Sequence, residues 1–351
     1  MAAATRPTVY HVGRAGDIPG GMTQVVNAYL RWPFPNVTVD VIPSRGDPGD
    51  HVASAKRLVG ALRRIRAIRR SRERAVIVVH LSERGSFIRE GLVARYARRC
   101  GLPVIAHLHG SEFAAYERTS PDRVGKVLKA STRVITLSEE TSEICRRHVS
   151  ADIVTLVPNA IPPGRPVEKT RTVVFGGVVS HRKGIDVLQA AWREQERNGW
   201  KLIVAGPLRE AELVDSGLPD AEFRGSLEHD ALMALLDEAA VAVLPSRDEA
   251  MPMFILEAMA RRACVISTTV GGIGPVLSDD CGVLVAPGSV RELSAALGRV
   301  MRDDAERERI AQRGLDRFES RFSATAVFPV VEEIWLDALE PRRRPETVST
   351  T

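Results

Sequence analysis

Two carboxylates eight positions apart, Glu249 and Glu257, bracket the segment Ala250-Met251-Pro252-Met253-Phe254-Ile255-Leu256. The apolar run 241–245 ahead of them reads as a buried strand, and the residues after Pro252 read as a helix. On a solvated helix face two glutamates would mean little. At a strand-to-helix crossing in an α/β chain they flank the crevice beyond the carboxyl ends of the strands, where anionic or hydroxylated ligands dock. A helix start there offers unpaired N–H groups and a positive dipole to a phosphate. Carboxylates, in turn, accept hydrogen bonds from hydroxyls. A phosphate carrying sugars on both sides, as in a nucleotide sugar, would satisfy all of these groups together.

Three other places suit such a ligand. Asp17-Ile18-Pro19-Gly20-Gly21-Met22-Thr23 follows the first expected strand and opens a helix. Its glycines let backbone N–H groups approach an anion, although an ordinary turn before a helix has the same composition. The GxGxxG fingerprint is absent at this turn, which argues against a nicotinamide enzyme. Further on, a strand ending in Gly176-Gly177 leads into Arg182-Lys183-Gly184. Two cations beside a strand end suit a diphosphate, whose charge grows as it departs; the bland reading is a solvated loop pair. His109 stands just past the expected strand 103–108, where side chains reach a cleft, though a lone histidine is more often structural. No His, Asp or Cys set shows metal-ligand spacing, Asp279-Asp280 and Asp303-Asp304 read as loop and helix-cap residues, and no metal is expected.

These residues need strands and helices to hold them. Short aliphatic runs at 8–12, 38–42, 75–81, 103–108, 133–137 and 153–157 alternate with helical patterns at 23–31, 51–72, 88–100, 122–130 and 139–148. Continuous apolar strands separated by helices predict parallel sheets covered on both faces. Four prolines in 158–166 can continue neither a helix nor a central strand and mark a linker. A second series follows, with strands at 172–178, 201–205, 221–224, 241–244, 265–267 and 282–285. Its helices fall at 185–198, 229–238, 254–262, 290–301 and 304–320. The reading is two parallel-sheet domains facing across a cleft: 1–160, then 161–323. A helical segment 324–340 could cross back to the first domain, and 341–351 reads as a disordered tail.

A length of 351 residues fits two domains, and 44% hydrophobic with 26% charged residues suits packed cores rather than disorder. No run approaches the roughly 18–20 apolar residues that span a bilayer, and the start lacks a secretion signal, so a cytoplasmic protein is expected. Cys100, Cys145, Cys264 and Cys281 are scattered and read as reduced thiols. The net charge of +5 hides an asymmetry: 56–74 holds nine basic residues and one acid, net +8, leaving −3 for the rest. Leu58, Leu62, Ile65 and Ile68 recur there at helical spacing. One face would pack on the core, while the basic remainder could rest on anionic lipid headgroups at the inner face of a membrane. Nucleic acid is not expected, because interleaved aromatic residues for stacking are missing.

Taken together, Gly20-Gly21, His109-Gly110, Pro158-Asn159, Gly176 through Lys183-Gly184, the Glu249–Glu257 pair, Gly271-Gly272 and Gly282-Val283-Leu284-Val285 resemble the retaining glycosyltransferases of GT-B fold, family 4 (group 1). The resemblance spans nearly the whole chain. It implies an α/β fold of two Rossmann-like domains, the first binding the acceptor and the second the nucleotide sugar. It also implies transfer from a UDP- or GDP-sugar to a glycan or lipid-linked acceptor in cell-surface polysaccharide synthesis, without a metal or other cofactor. Arg182 and Lys183 would hold the diphosphate, aided by backbone at Gly20 and Gly21. Glu257 would accept from the ribose hydroxyls and Glu249 from those of the transferred sugar. The N–H groups of Met253 and Phe254 would complete the site, with His109 over the sugar. Ala250 and Pro252 depart from the glycines common in this loop, Arg261-Arg262-Ala263-Cys264 replaces the usual Gly-x-Pro turn, and Gly274-Pro275 stands where an acid is common. The competing readings are an epimerase or phosphorylase on the same fold, and a non-catalytic membrane-surface scaffold.

Overall fold

The computed structural model describes residues 6–13, 21–44, 51–110, 112–165 and 167–340. Six strands form the first sheet: β1 Thr8–Gly13, β2 Thr38–Pro43, β3 Ala75–Leu81, β4 Val104–Leu108, β5 Arg133–Thr136 and β6 Val154–Leu156. Six more form the second: β7 Thr170–Gly176, β8 Lys201–Ala205, β9 Ala221–Gly225, β10 Ala239–Leu244, β11 Cys264–Thr268 and β12 Val283–Val285. All pairings are parallel, in the orders β2-β1-β3-β4-β5-β6 and β12-β11-β10-β7-β8-β9. Every expected strand is present to within two residues at each end. Strands β3, β4, β10 and β11 are buried along their whole length, which is why they read as unbroken apolar runs.

Strand order reverses between β1 and β3 in the first sheet and between β7 and β10 in the second. Such switch points open a crevice at the carboxyl ends of the strands. The helix Gly21–Arg31, the turn after β7 and the loop after β10 all start at these crevices, so the topology puts the expected site residues where a ligand can reach them.

The helix expected over 185–198 ends at Arg193. Asn198 and Gly199 both have positive φ, at 44° and 85°, and turn the chain ahead of Trp200, which is buried as Trp192 is. Two short helices, Phe113–Thr119 and Ile273–Leu277, were not legible as helical patterns. The helix Ala324–Asp337 lies against the first sheet's side of the molecule. Trp335 packs edge-on to His11 and Tyr29, Phe328 contacts Tyr29, Trp32 and Phe34, and Glu332 accepts from the Asn36 backbone N–H at 2.8 Å. It starts beside the linker, where the Ala324 N–H donates to the Ile161 carbonyl. The disordered-tail reading of 341–351 falls outside the described residues. All four cysteines are free thiols, three of them buried. Among the described residues no helix is long and apolar enough to cross a membrane.

Candidate active site

The loops leaving β7 and β10 meet. After β7 the chain makes one 3-10 turn, His181–Lys183, and Gly184 follows at φ 73°. A Cβ on Gly184 would collide with the Pro245 carbonyl oxygen, so both the backbone angle and the space demand glycine. Lys183 forms an ion pair with Glu249, and Ser246 Oγ donates to the same carboxylate oxygen at 2.8 Å. The two side chains are only 13% and 8% exposed. A pair this shielded from water is costly to break from one side. Arg182 is exposed and donates to the Asp248 carbonyl at 2.7 Å. The expected cations and the first carboxylate are therefore one assembly, and here Lys183 and Glu249 satisfy each other.

The helix Met253–Ala260 begins beside this assembly. Pro252 is its N-cap and no side chain caps it, so the N–H groups of Met253 and Phe254 point out of the helix start without an intrahelical partner. The lost N–H of Pro252 falls outside the helical ladder and removes neither donor. Gly21 opens the helix of the first half, and a Cβ on it would lie 3.7 Å from Met253 Cγ. The two halves thus approach each other at residues expected to hold the donor. Gly20 lies outside the described residues. Gly271, at φ 53°, presses on the Glu249 carbonyl so closely that a side chain there would collide with it.

Glu257 sits one turn further along this helix, 5% exposed. It faces a cavity of about 380 Å³ between the halves, lined also by Gln24, Arg31, His229, Met233 and Met253. Burial pushes its carboxyl up to about 7, with Arg261 opposing the shift in part. Near neutral pH the group can both accept and donate a hydrogen bond, which suits a diol.

His109 is not alone. His11 on β1, His80 on β3 and His107 on β4 gather beside it on one face of the first sheet. Parallel register sets His80 next to His107, and the two-residue period of a strand returns His109 to the same face. His11 Nδ1 lies 2.8 Å from His80 Nε2, and His80 Nδ1 lies 2.9 Å from His109 Nε2. Burial holds all four imidazoles uncharged: His11 and His109 are lowered to about 3, and His80 and His107 well below their ordinary value. One ring nitrogen each from His80, His107 and His109 falls within 4.8 Å of the others. Spacing along the chain shows no metal-ligand set, and these three residues are not evenly spaced in it. The grouping is made by strand register, to which spacing along the chain is blind.

The family model described as "Glycosyltransferase Family 4" matches residues 23–165, and that described as "Glycosyl transferases group 1" matches 170–303. The chain belongs to this family. Among curated relatives of this family 4 chain, the glycogen synthase of Mycobacterium tuberculosis is 26% identical over 70% of the chain and 66% of its own length. The matched region therefore spans just under two thirds of that relative. A solved sucrose-phosphate synthase from Thermosynechococcus elongatus superposes with a TM-score of 0.74 at 19% identity, covering 95% of this chain and 99% of its own. The Anabaena protein HepE, solved in complex with UDP-glucose, superposes at 0.70 with 15% identity, covering 94% and 99%. These likenesses establish the fold of the family 4 chain as GT-B.

Several residues of the site carried no signal of their own in the sequence. Arg247 donates from both terminal nitrogens to the Asp186 carboxylate, at 2.8 and 2.7 Å, and from Nη1 to the His181 carbonyl. Its backbone N–H donates to the Arg182 carbonyl at 2.8 Å. Burial works against ionisation of Asp186, yet the guanidinium fork outweighs it and holds that carboxyl below its usual range. Arg247 thereby fastens the 181–183 turn to the loop that carries Glu249.

Proposed function

We propose that this chain transfers a sugar from a UDP- or GDP-sugar to a glycan or lipid-linked acceptor in the synthesis of a cell-surface polysaccharide, with retention at the anomeric carbon and without a metal. The observation that carries this reading is the shielded Lys183–Glu249 pair beside the uncapped start of the Met253–Ala260 helix. In this scheme 1–160 binds the acceptor and 161–323 the donor.

A diphosphate laid at the helix start takes hydrogen bonds from the N–H groups of Met253 and Phe254, and from the backbone at Gly20 and Gly21. Lys183 and Arg182 neutralise the charge that grows on it as the bond to the anomeric carbon breaks. Lys183 then divides its attention between the diphosphate and Glu249, which leaves carboxylate lone pairs for sugar hydroxyls. Glu257 accepts from the ribose diol, and residues near 223–227 read the base. His109 stands over the sugar as an uncharged donor or acceptor. The acceptor hydroxyl attacks on the face the diphosphate leaves; its proton passes to the departing phosphate oxygen. No protein nucleophile is required, unlike the paired carboxylates of retaining glycosidases.

The basic helix His51–Ser71 would hold the protein at the inner face of a membrane, within reach of a lipid-linked acceptor. A thermal-shift panel of nucleotide sugars tests the donor: the true one raises the melting temperature most. Replacing Lys183→Met together with Glu249→Gln removes both buried charges at once and should lower kcat by at least about 100-fold in a folded protein. Full turnover by that variant would refute the assignment.

A further inference from the structure

The histidine group on the first sheet goes beyond sugar binding. We propose that His80 Nδ1, His109 Nε2 and a ring nitrogen of His107 form a site for one Zn2+ ion, and that the ion competes with the donor sugar for His109.

Geometry is the first ground. A tetrahedral zinc ion with bonds of about 2.0–2.1 Å places its nitrogens roughly 3.3 Å apart. The three histidines offer nitrogens between 2.9 Å apart, for His80 and His109, and 4.8 Å at most. Small ring rotations close the set. At 2.9 Å two facing ring nitrogens share one proton, and a cation can take that proton's place.

The second ground is a polar atom left without a partner. His107 Nε2 is buried without a partner, so a coordinate bond would satisfy a polar atom that the protein otherwise strands.

The third ground is support from behind. A zinc-bound imidazole usually gives its other N–H to an acceptor that fixes its orientation. His80 has that acceptor: its Nε2 lies 2.8 Å from His11 Nδ1. His11 is in turn packed between Tyr29 and Trp335. Of the three ligands, His80 and His107 are buried and His109 is half-buried, so the fourth coordination position opens on the His109 side. Three imidazoles with one open position is the arrangement of an accessible zinc ion. The metal-independent transfer proposed above is not altered; the ion would inhibit it.

Competition rests on the assignment of His109 to the sugar, whereas binding does not, and the two are measured separately. Tag-free protein stripped with chelator should bind one Zn2+ per chain in equilibrium dialysis, and Co2+ should give the intense visible absorption of a tetrahedral site. His107→Gln and His80→Gln, each checked for a native melting transition, should abolish both signals. His11→Asn should weaken zinc affinity about 10–100-fold. Should either variant fail to fold, His109→Gln, altered at the half-buried ligand, replaces it. Wild-type protein that binds no more zinc than these variants overturns the site. Zinc that binds without weakening the donor's thermal shift overturns the competition.

Discussion

Glu257 shows how a single buried carboxyl links ligand binding to stability. Its pKa is about 7 in the folded chain against an ordinary 4.5. Between those values the folded state holds a proton that the unfolded state has released. Stability therefore falls as pH rises from about 4.5 to about 7, by on the order of 3 kcal/mol in total. Glu257→Gln should flatten this window in urea unfolding at pH 5 and pH 8, and at pH 8 the variant should be the more stable protein. It should also reduce the donor's thermal shift, because the amide keeps one acceptor oxygen where the carboxylate offers two to a diol. A variant with the wild-type pH slope would show that burial is not what raises this group. Arg247 makes a different residue-scale case. Arg247→Lys keeps one charge but loses the fork to Asp186, so KM for the donor should rise about tenfold with stability nearly unchanged. Of these residues Glu249, Glu257, Arg182 and Lys183 were legible because strand ends and a helix start frame them in the chain. Arg247 and Asp186 were not, because one arginine in a loop and one aspartate in a first helical turn have ordinary local explanations. The partnership appears only when the loop after β10 meets a helix start 61 residues earlier in the chain.

At the scale of elements, strands β3, β4, β10 and β11 could be read because burial on both faces leaves an uninterrupted apolar run, a signal that survives without knowing the neighbours, whereas β2 and β9 are partly exposed and carry charged residues. Short helices such as Phe113–Thr119 lack enough turns to show a period. The histidine cluster was hidden for a related reason: His11, His80 and His107 come from three strands, and only their register makes them adjacent. The helix Ala324–Asp337 tests how elements of the two halves depend on each other. Trp335 is fully buried against His11, Tyr29 and Phe34. Trp335→Ala should cost about 3–5 kcal/mol in unfolding free energy. It should also disturb the histidine row, since His11 loses the ring that holds it. A near-neutral Trp335→Ala would mean that this helix is dispensable to the first half.

At the scale of the whole molecule, the charge asymmetry acquires a shape. In the helix His51–Ser71, Ala61, Ile65 and Ile68 are buried on the sheet side. The opposite side follows from the helical period: Val52, Lys56, Val59, Arg63, Arg66 and Arg70 recur every three or four residues and form one outward stripe. Val52 and Val59 on that stripe are 65% and 47% exposed. Apolar residues set among cations on one exposed face suit a surface of anionic headgroups over hydrocarbon. At roughly 1 kcal/mol per cation near such a surface, the four cations contribute on the order of 4 kcal/mol. Replacing Lys56, Arg63, Arg66 and Arg70 with glutamine should therefore weaken binding to vesicles containing phosphatidylserine by about 10³-fold. Arg64 is left in place because it pairs with Asp40. Raising salt should weaken wild-type binding in the same direction, since exposed charges are screened within about 10 Å at 0.1 M. Donor binding should be unchanged in the variant, because none of the four cations is among the residues assigned to the donor. Equal flotation of both proteins with anionic vesicles would remove the membrane from the proposal and leave the sugar site standing.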